Sequence, residues 1–147
     1  MATKLSKNFT LEELTRSYTA NVCTIDNTPG ERQTANLRQL CVKVLQPLRD
    51  RFGEPIVIGS GYRCRRLNQR VGGVSNSDHL YGCAADIKTI GDTPAENKRL
   101  FNLAVQMMHE GSVRDVKQII DEYNYDWIHI SIQDGRTVKR NQVLHVK

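Results

Sequence analysis

Apolar positions recur at helical spacing in two long stretches and alternate with polar ones in a shorter one. From about Thr34 to Phe52, Leu37, Leu40, Cys41, Val44, Leu45 and Leu48 fall on one side of a helix, the recurrence of an amphipathic, core-facing element. Pro47 interrupts that pattern; lacking an N–H, it kinks the helix or begins a new turn. From Pro94 to about Glu110, Leu100, Leu103, Ala104, Met107 and Met108 repeat the pattern, with Thr93 as cap and Pro94 at the first helical position. The methionines read as core. A shorter helix starts within Asn8–Leu14, where Thr10 caps and Glu13 completes a capping box. Residues 63–71 look helical and end at Gly72-Gly73.

The remaining apolar runs are strand-like. Pro55 to Tyr62 is a strand entering a glycine-rich turn, and Ala84 to Lys88 is a second, short strand. Lys117–Tyr123 and Trp127–Ile132 are joined by the turn Asn124-Tyr125-Asp126 and read as a hairpin. Residues 24–30 and 74–82 are loops, and the tail from Asp134-Gly135 to Val146 turns, with room for an edge strand. Helices and strands mix without regular βαβ alternation. That predicts an α+β fold, with helices packed on a small antiparallel sheet. The 147 residues suit a single domain, 1–147, and a monomer is expected.

Composition narrows the classes. Apolar residues are 39% and charged residues 25%, ordinary values for a globular core. No apolar run approaches the roughly 18–20 residues that span a bilayer. The first residues, through Asn8, carry lysines but no apolar stretch, so no secretory signal is expected. The expectation is cytoplasmic synthesis, with release or export by another route. The net charge of +5 and pI of about 9.2 favour polyanions, yet Arg63-Cys64-Arg65-Arg66 is the one dense basic cluster and no nucleic-acid module is visible. Cys23, Cys41, Cys64 and Cys83 form no CxxC pair, so a structural zinc knuckle is unsupported and reduced thiols are expected. Cys83 reads as a small buried residue.

Two histidines stand in telling places. In Ser77-Asp78-His79-Leu80-Tyr81-Gly82-Cys83-Ala84-Ala85-Asp86, Gly82 permits a tight turn, after which Ala84 and Asp86 share one strand face. A loop returning on itself aims His79 and Asp86 at one point. In Trp127-Ile128-His129-Ile130-Ser131-Ile132, period two sends the isoleucines to the core and Trp127, His129 and Ser131 to the other face. Two histidines and a carboxylate leave a fourth position for water, which is a catalytic zinc set. On spacing alone, a structural histidine and a strand-end aspartate remain open alternatives.

The run Ser77-x-His79-x-x-Gly82-x-Ala84-x-Asp86 resembles the S-x-H-x-x-G-x-A-x-D motif of the zinc D-Ala-D-Ala carboxypeptidase and L-alanyl-D-glutamate endopeptidase family. Trp127-Ile128-His129 resembles that family's second histidine motif, and Ser60-Gly61-Tyr62-Arg63 its S-G-Y-R segment; Asn68 and Gly72-Gly73 fit between. The resemblance covers roughly residues 5–145 and is strongest to the short single-domain branch of phages and bacteria. It implies a Hedgehog/DD-peptidase fold and zinc held by His79, Asp86 and His129. It also implies an acid/base carboxylate near the second histidine, either Asp126, three residues before it, or Glu122 on the preceding strand. Asp126 is the favoured of the two.

The implied enzyme is a zinc peptidase acting on peptidoglycan peptides, as a carboxypeptidase or an endopeptidase, of an endolysin or wall-remodelling type. Arg63 is expected to stabilise the oxyanion or anchor a substrate carboxylate. Ser77, Tyr81 and Trp127 are expected at the substrate. His109 reads as a helix C-terminal partner and His145 as an exposed tail residue. The alternatives are a zinc-binding module of the same fold without catalysis, or a basic protein that binds wall polymer.

Overall fold

Two short strands, β1 (Lys4–Ser6) and β2 (Phe9–Thr10), open the chain as an antiparallel ribbon; the structure is a computed structural model describing residues 2–147, and Met1 lies outside the described residues. In α1 (Leu11–Thr15) the capping box is present: Thr10 Oγ1 accepts the Glu13 N–H and Glu13 Oε1 accepts the Thr10 N–H, each at 3.2 Å. α2 (Tyr18–Val22) follows, with Ser17 as its cap. The long helix begins at Glu31 rather than Thr34. It runs as α3 (Glu31–Leu40), a π turn (Cys41–Leu45) and α4 (Gln46–Phe52). Pro47 accounts for the interruption: it has no N–H to give the Lys43 carbonyl, and the Arg114 N–H donates to that oxygen instead at 3.2 Å.

The rest of the chain comprises β3 (Ile56–Ser60), α5 (Arg65–Arg70), a 3-10 turn (Asp78–Tyr81), β4 (Ala84–Thr89), α6 (Pro94–Glu110), β5 (Val116–Glu122), β6 (Trp127–Ile132) and β7 (Gln142–Val146). Five strands form one sheet in the order β3-β4-β6-β5-β7. The first three pairings are antiparallel, but β7 is parallel to β5, so the sheet is mixed rather than antiparallel throughout. The connection explains this. Residues 133–141 stay at one end of the sheet and pass over β5, and the Asn141 N–H donates to the Val116 carbonyl at 2.9 Å, so β7 starts beside the start of β5.

One sheet face makes the core. Ile128, Ile130 and Ile132 join Ile58, Ile87 and Ile119 with Leu37 and Leu40 of α3 and Leu100, Ala104 and Met107 of α6. The helices thus pack on the sheet, an α+β arrangement. The opposite face carries the candidate chemistry. Asp86 pairs directly with His129, Ile120 with His129, and Glu122 with Trp127. Residues opposed across neighbouring strands project to the same side.

The β5–β6 turn is unusual. Tyr123, Asn124 and Tyr125 have φ of 52°, 56° and 63°, a left-handed conformation that costs about 1–2 kcal/mol per residue for side-chain-bearing residues. Asp121 offsets part of that: its buried carboxylate accepts the Tyr125 N–H at 2.6 Å and holds the His145 ring at 3.0 Å. His145 is therefore tied to β5 through this hydrogen bond, a role its place in the tail did not suggest.

Candidate metal centre

His79 is buried in the 3-10 turn, where Ser77 Oγ accepts its backbone N–H at 3.2 Å. Its Nδ1 lies 2.6 Å from the Gly61 carbonyl oxygen. A carbonyl can only accept, so Nδ1 carries a proton and Nε2 is the nitrogen left to face the site. Nε2 lies 3.4 Å from Asp86 Oδ1, and the same oxygen has His129 Nδ1 at 3.0 Å. The rings of the two histidines stand edge to face, centroids 5.2 Å apart. His79, Asp86 and His129 form a group whose ligand atoms lie within 4.8 Å of one another. Two lone pairs directed at one another repel, so this contact calls for a cation between them, a proton on the ring or a metal ion. Two imidazoles and one carboxylate are a donor set that zinc accepts with a position left open.

Burial alone would raise the Asp86 carboxyl, but the ring nitrogens of His129 and His79 outweigh it and hold the group well below the usual carboxylate range. The ion pairs around Asp78 hold the loop. Asp78, 8% exposed, receives Lys117 Nζ at 2.8 Å and Arg136 Nη2 at 2.8 Å. Arg136 also bridges Asp134 at 2.7 Å and lies over the Tyr81 ring, 3.6 Å from its centroid. Burial works against the Arg136 charge, yet the two carboxylates keep its pKa above the ordinary value. Sequence reasoning missed this clamp. Its one signal was an aspartate beside a candidate ligand histidine, and its partners lie far away in the chain.

Glycine is required where the turn enters β4. Gly82 has φ of 73°, and a Cβ there would overlap the Gln33 carbonyl oxygen. Gly53 ends α4 at φ of 75° with nothing within 4 Å of such a Cβ. Gly82→Ala is therefore expected to lose about 3 kcal/mol, the left-handed cost plus an overpacking cost. Gly53→Ala loses only about 1 kcal/mol. Urea midpoints of the two variants check the difference.

Glu122 and His129 line one cleft of about 260 Å³, along with Ser77, Asp78 and Lys117. Burial raises the Glu122 carboxyl above the ordinary glutamate value; His129 opposes this while Asp86 and Asp121 add to it. Asp126 is placed differently. It is exposed at the end of the turn, where its N–H donates to the Glu122 carbonyl at 3.0 Å, and it is not part of the cleft lining. The face alternation of β6 explains the separation, since Asp126 is out of step with Trp127 and His129.

The other expected residues divide. Arg63 is half-buried; burial lowers its pKa, the Asp86 charge opposes this, and its Nε is buried without a hydrogen-bond partner among the described residues. Its Nη2 donates to Ser77 Oγ at 3.5 Å, so Ser77 caps the turn and contacts the guanidinium together. Trp127 lies on the site face against Tyr123, ring centroids 5.2 Å apart. Tyr81 packs beneath Arg136 and against the core. Cys83 is fully buried and its thiol is pushed up to about 12 by burial, as befits a packed residue. All four cysteines are free thiols. No helix of the described residues is long and apolar enough to cross a membrane.

The chain matches the peptidase M15 family over residues 7–131. It is also similar to the zinc D-Ala-D-Ala carboxypeptidase of Streptomyces albus G, 38% identical over 84 residues. That alignment takes in 54% of this chain and 31% of the relative, so the chain spans about a third of that protein's length.

Proposed function

The chain belongs to the peptidase M15 family, and we propose that it is a zinc metallopeptidase that hydrolyses the D-amino-acid-containing peptides of bacterial peptidoglycan. The observation that carries the reading is the convergence of His79 Nε2 and His129 Nδ1 on one oxygen of Asp86, beside a cleft that also holds Glu122. The name of the Streptomyces relative supports both the metal and the substrate class.

His79, Asp86 and His129 would hold the zinc. Bound there, zinc supplies Lewis acidity, polarising a carbonyl and lowering the pKa of water toward about 7. Glu122 takes the proton of the attacking water and delivers it to the leaving amine. A carboxyl held high by burial suits both halves of that task. Arg63 directs its guanidinium at the negative charge that develops on the carbonyl oxygen, and Ser77 orients it. Trp127 forms a wall of the substrate site. Asp126 has no part in the chemistry. Residues 1–147 act as one peptidase domain.

Purified peptidoglycan tests the reading. Cleavage is expected to stop with chelator and return with zinc, and mass spectrometry of the new termini names the bond and so separates terminal from internal cutting. One tightly bound zinc per chain without cleavage would indicate a zinc-binding module instead.

A further inference from the structure

Two lysines line the cleft of Glu122 and His129, Lys117 and Lys139, and they are not equivalent. Lys117 Nζ lies 2.8 and 3.0 Å from the two oxygens of Asp78, which neutralises it in place. Arg136 nearby is likewise taken up by Asp134 and Asp78. Lys139 is exposed and, among the described residues, pairs with no carboxylate. Its position is nevertheless held from both sides. Arg136 fixes the chain before it onto Asp78 and Tyr81, and the Asn141 N–H fixes the chain after it onto the Val116 carbonyl at 2.9 Å. A lysine without a carboxylate partner is thereby kept in the lining of a cleft whose nearby acids have other tasks. Lys139 lies outside the family match at 7–131, on the connection that carries β7 across the sheet.

We propose that Lys139 is a substrate-binding residue that receives a free carboxylate of the peptide and makes the protein select acidic peptides over their amidated forms. The inference rests on the peptidase reading above. Two carboxylates offer the same chemistry: the C-terminal one, and that of an acidic residue within the peptide.

The experiment uses the zinc-loaded full chain and three synthetic cell-wall-type peptides: fully acidic, amidated at the C-terminus, and amidated at the internal acid. Lys139→Gln is expected to raise KM for the fully acidic peptide about tenfold, the effect of one charge-assisted contact. Lys139→Arg retains most of the affinity. The peptide amidated at the recognised carboxylate binds the parent about as weakly as Lys139→Gln does and no longer responds to that substitution, which identifies the source. Equal KM for parent and Lys139→Gln, or an equal loss with all three peptides, overturns the proposal. Calorimetric binding of the same peptides separates the two readings. Lys139-dependent binding without cleavage sinks the peptidase reading alone, and normal cleavage indifferent to Lys139 sinks this one alone.

Discussion

Glu122→Gln is expected to lower kcat on a cell-wall peptide by about 10²–10⁴-fold, the range for loss of a positioned acid/base, with zinc content unchanged. Asp126→Asn is expected to keep the parent rate. Both acids are near His129 in sequence, so the contrast depends on the hairpin register. Glu122 pairs with Trp127, and Ile120 with His129, which puts the Glu122 side chain on the face of the histidine. Asp126 sits in the turn, exposed and out of step with that face. Glutamine keeps the size of Glu122 and removes only its ionisable carboxyl, so the fold is preserved. Single-turnover rates together with metal analysis decide it. A dead Asp126→Asn beside an active Glu122→Gln would reverse the assignment.

That assignment also marks where the sequence stops being informative. The alternation of Ile128, His129 and Ile130 was enough to place His129 away from the core, because a strand has only two faces. The run from Ser77 to Asp86 was enough to bring His79 and Asp86 together, since Gly82 has the positive φ the turn needs. Thr10 and Thr93 cap their helices as expected, accepting the N–H groups of Glu13 and Glu96. Glu122 was harder. Its face depends on the length of a turn built from Tyr123, Asn124 and Tyr125 at positive φ, and tyrosine gives no local signal for that conformation. It is held by Asp121, a contact formed only once the hairpin exists. The parallel pairing of β7, the Asp78–Arg136 clamp and the Gly61 carbonyl that orients His79 are likewise long-range. The last is a backbone atom, invisible to any reading of side chains. β1, β2 and α2 are too short to show a period.

His129→Ala is expected to abolish zinc retention through dialysis and with it all peptide hydrolysis. The substitution removes one of three donors, leaving His79 and Asp86, whose atoms are 3.4 Å apart. It should not unfold the protein. His129 is half-buried on the site face, while Ile128 and Ile130 keep the core side of β6 filled. Thermal unfolding separates metal loss from misfolding. If the native chain alone binds zinc, the metal stabilises it by RT ln(1 + [Zn]/Kd), about 2.7 kcal/mol at a hundredfold excess over Kd. The parent melting temperature therefore rises with added zinc, and that of His129→Ala stays flat, close to that of the chelated parent. A variant that melts far below the chelated parent would mean that His129 holds the sheet together rather than a metal. A variant that keeps full metal occupancy would remove His129 from the ligand set, and with it the reason why Asp86 Oδ1 is approached from two sides.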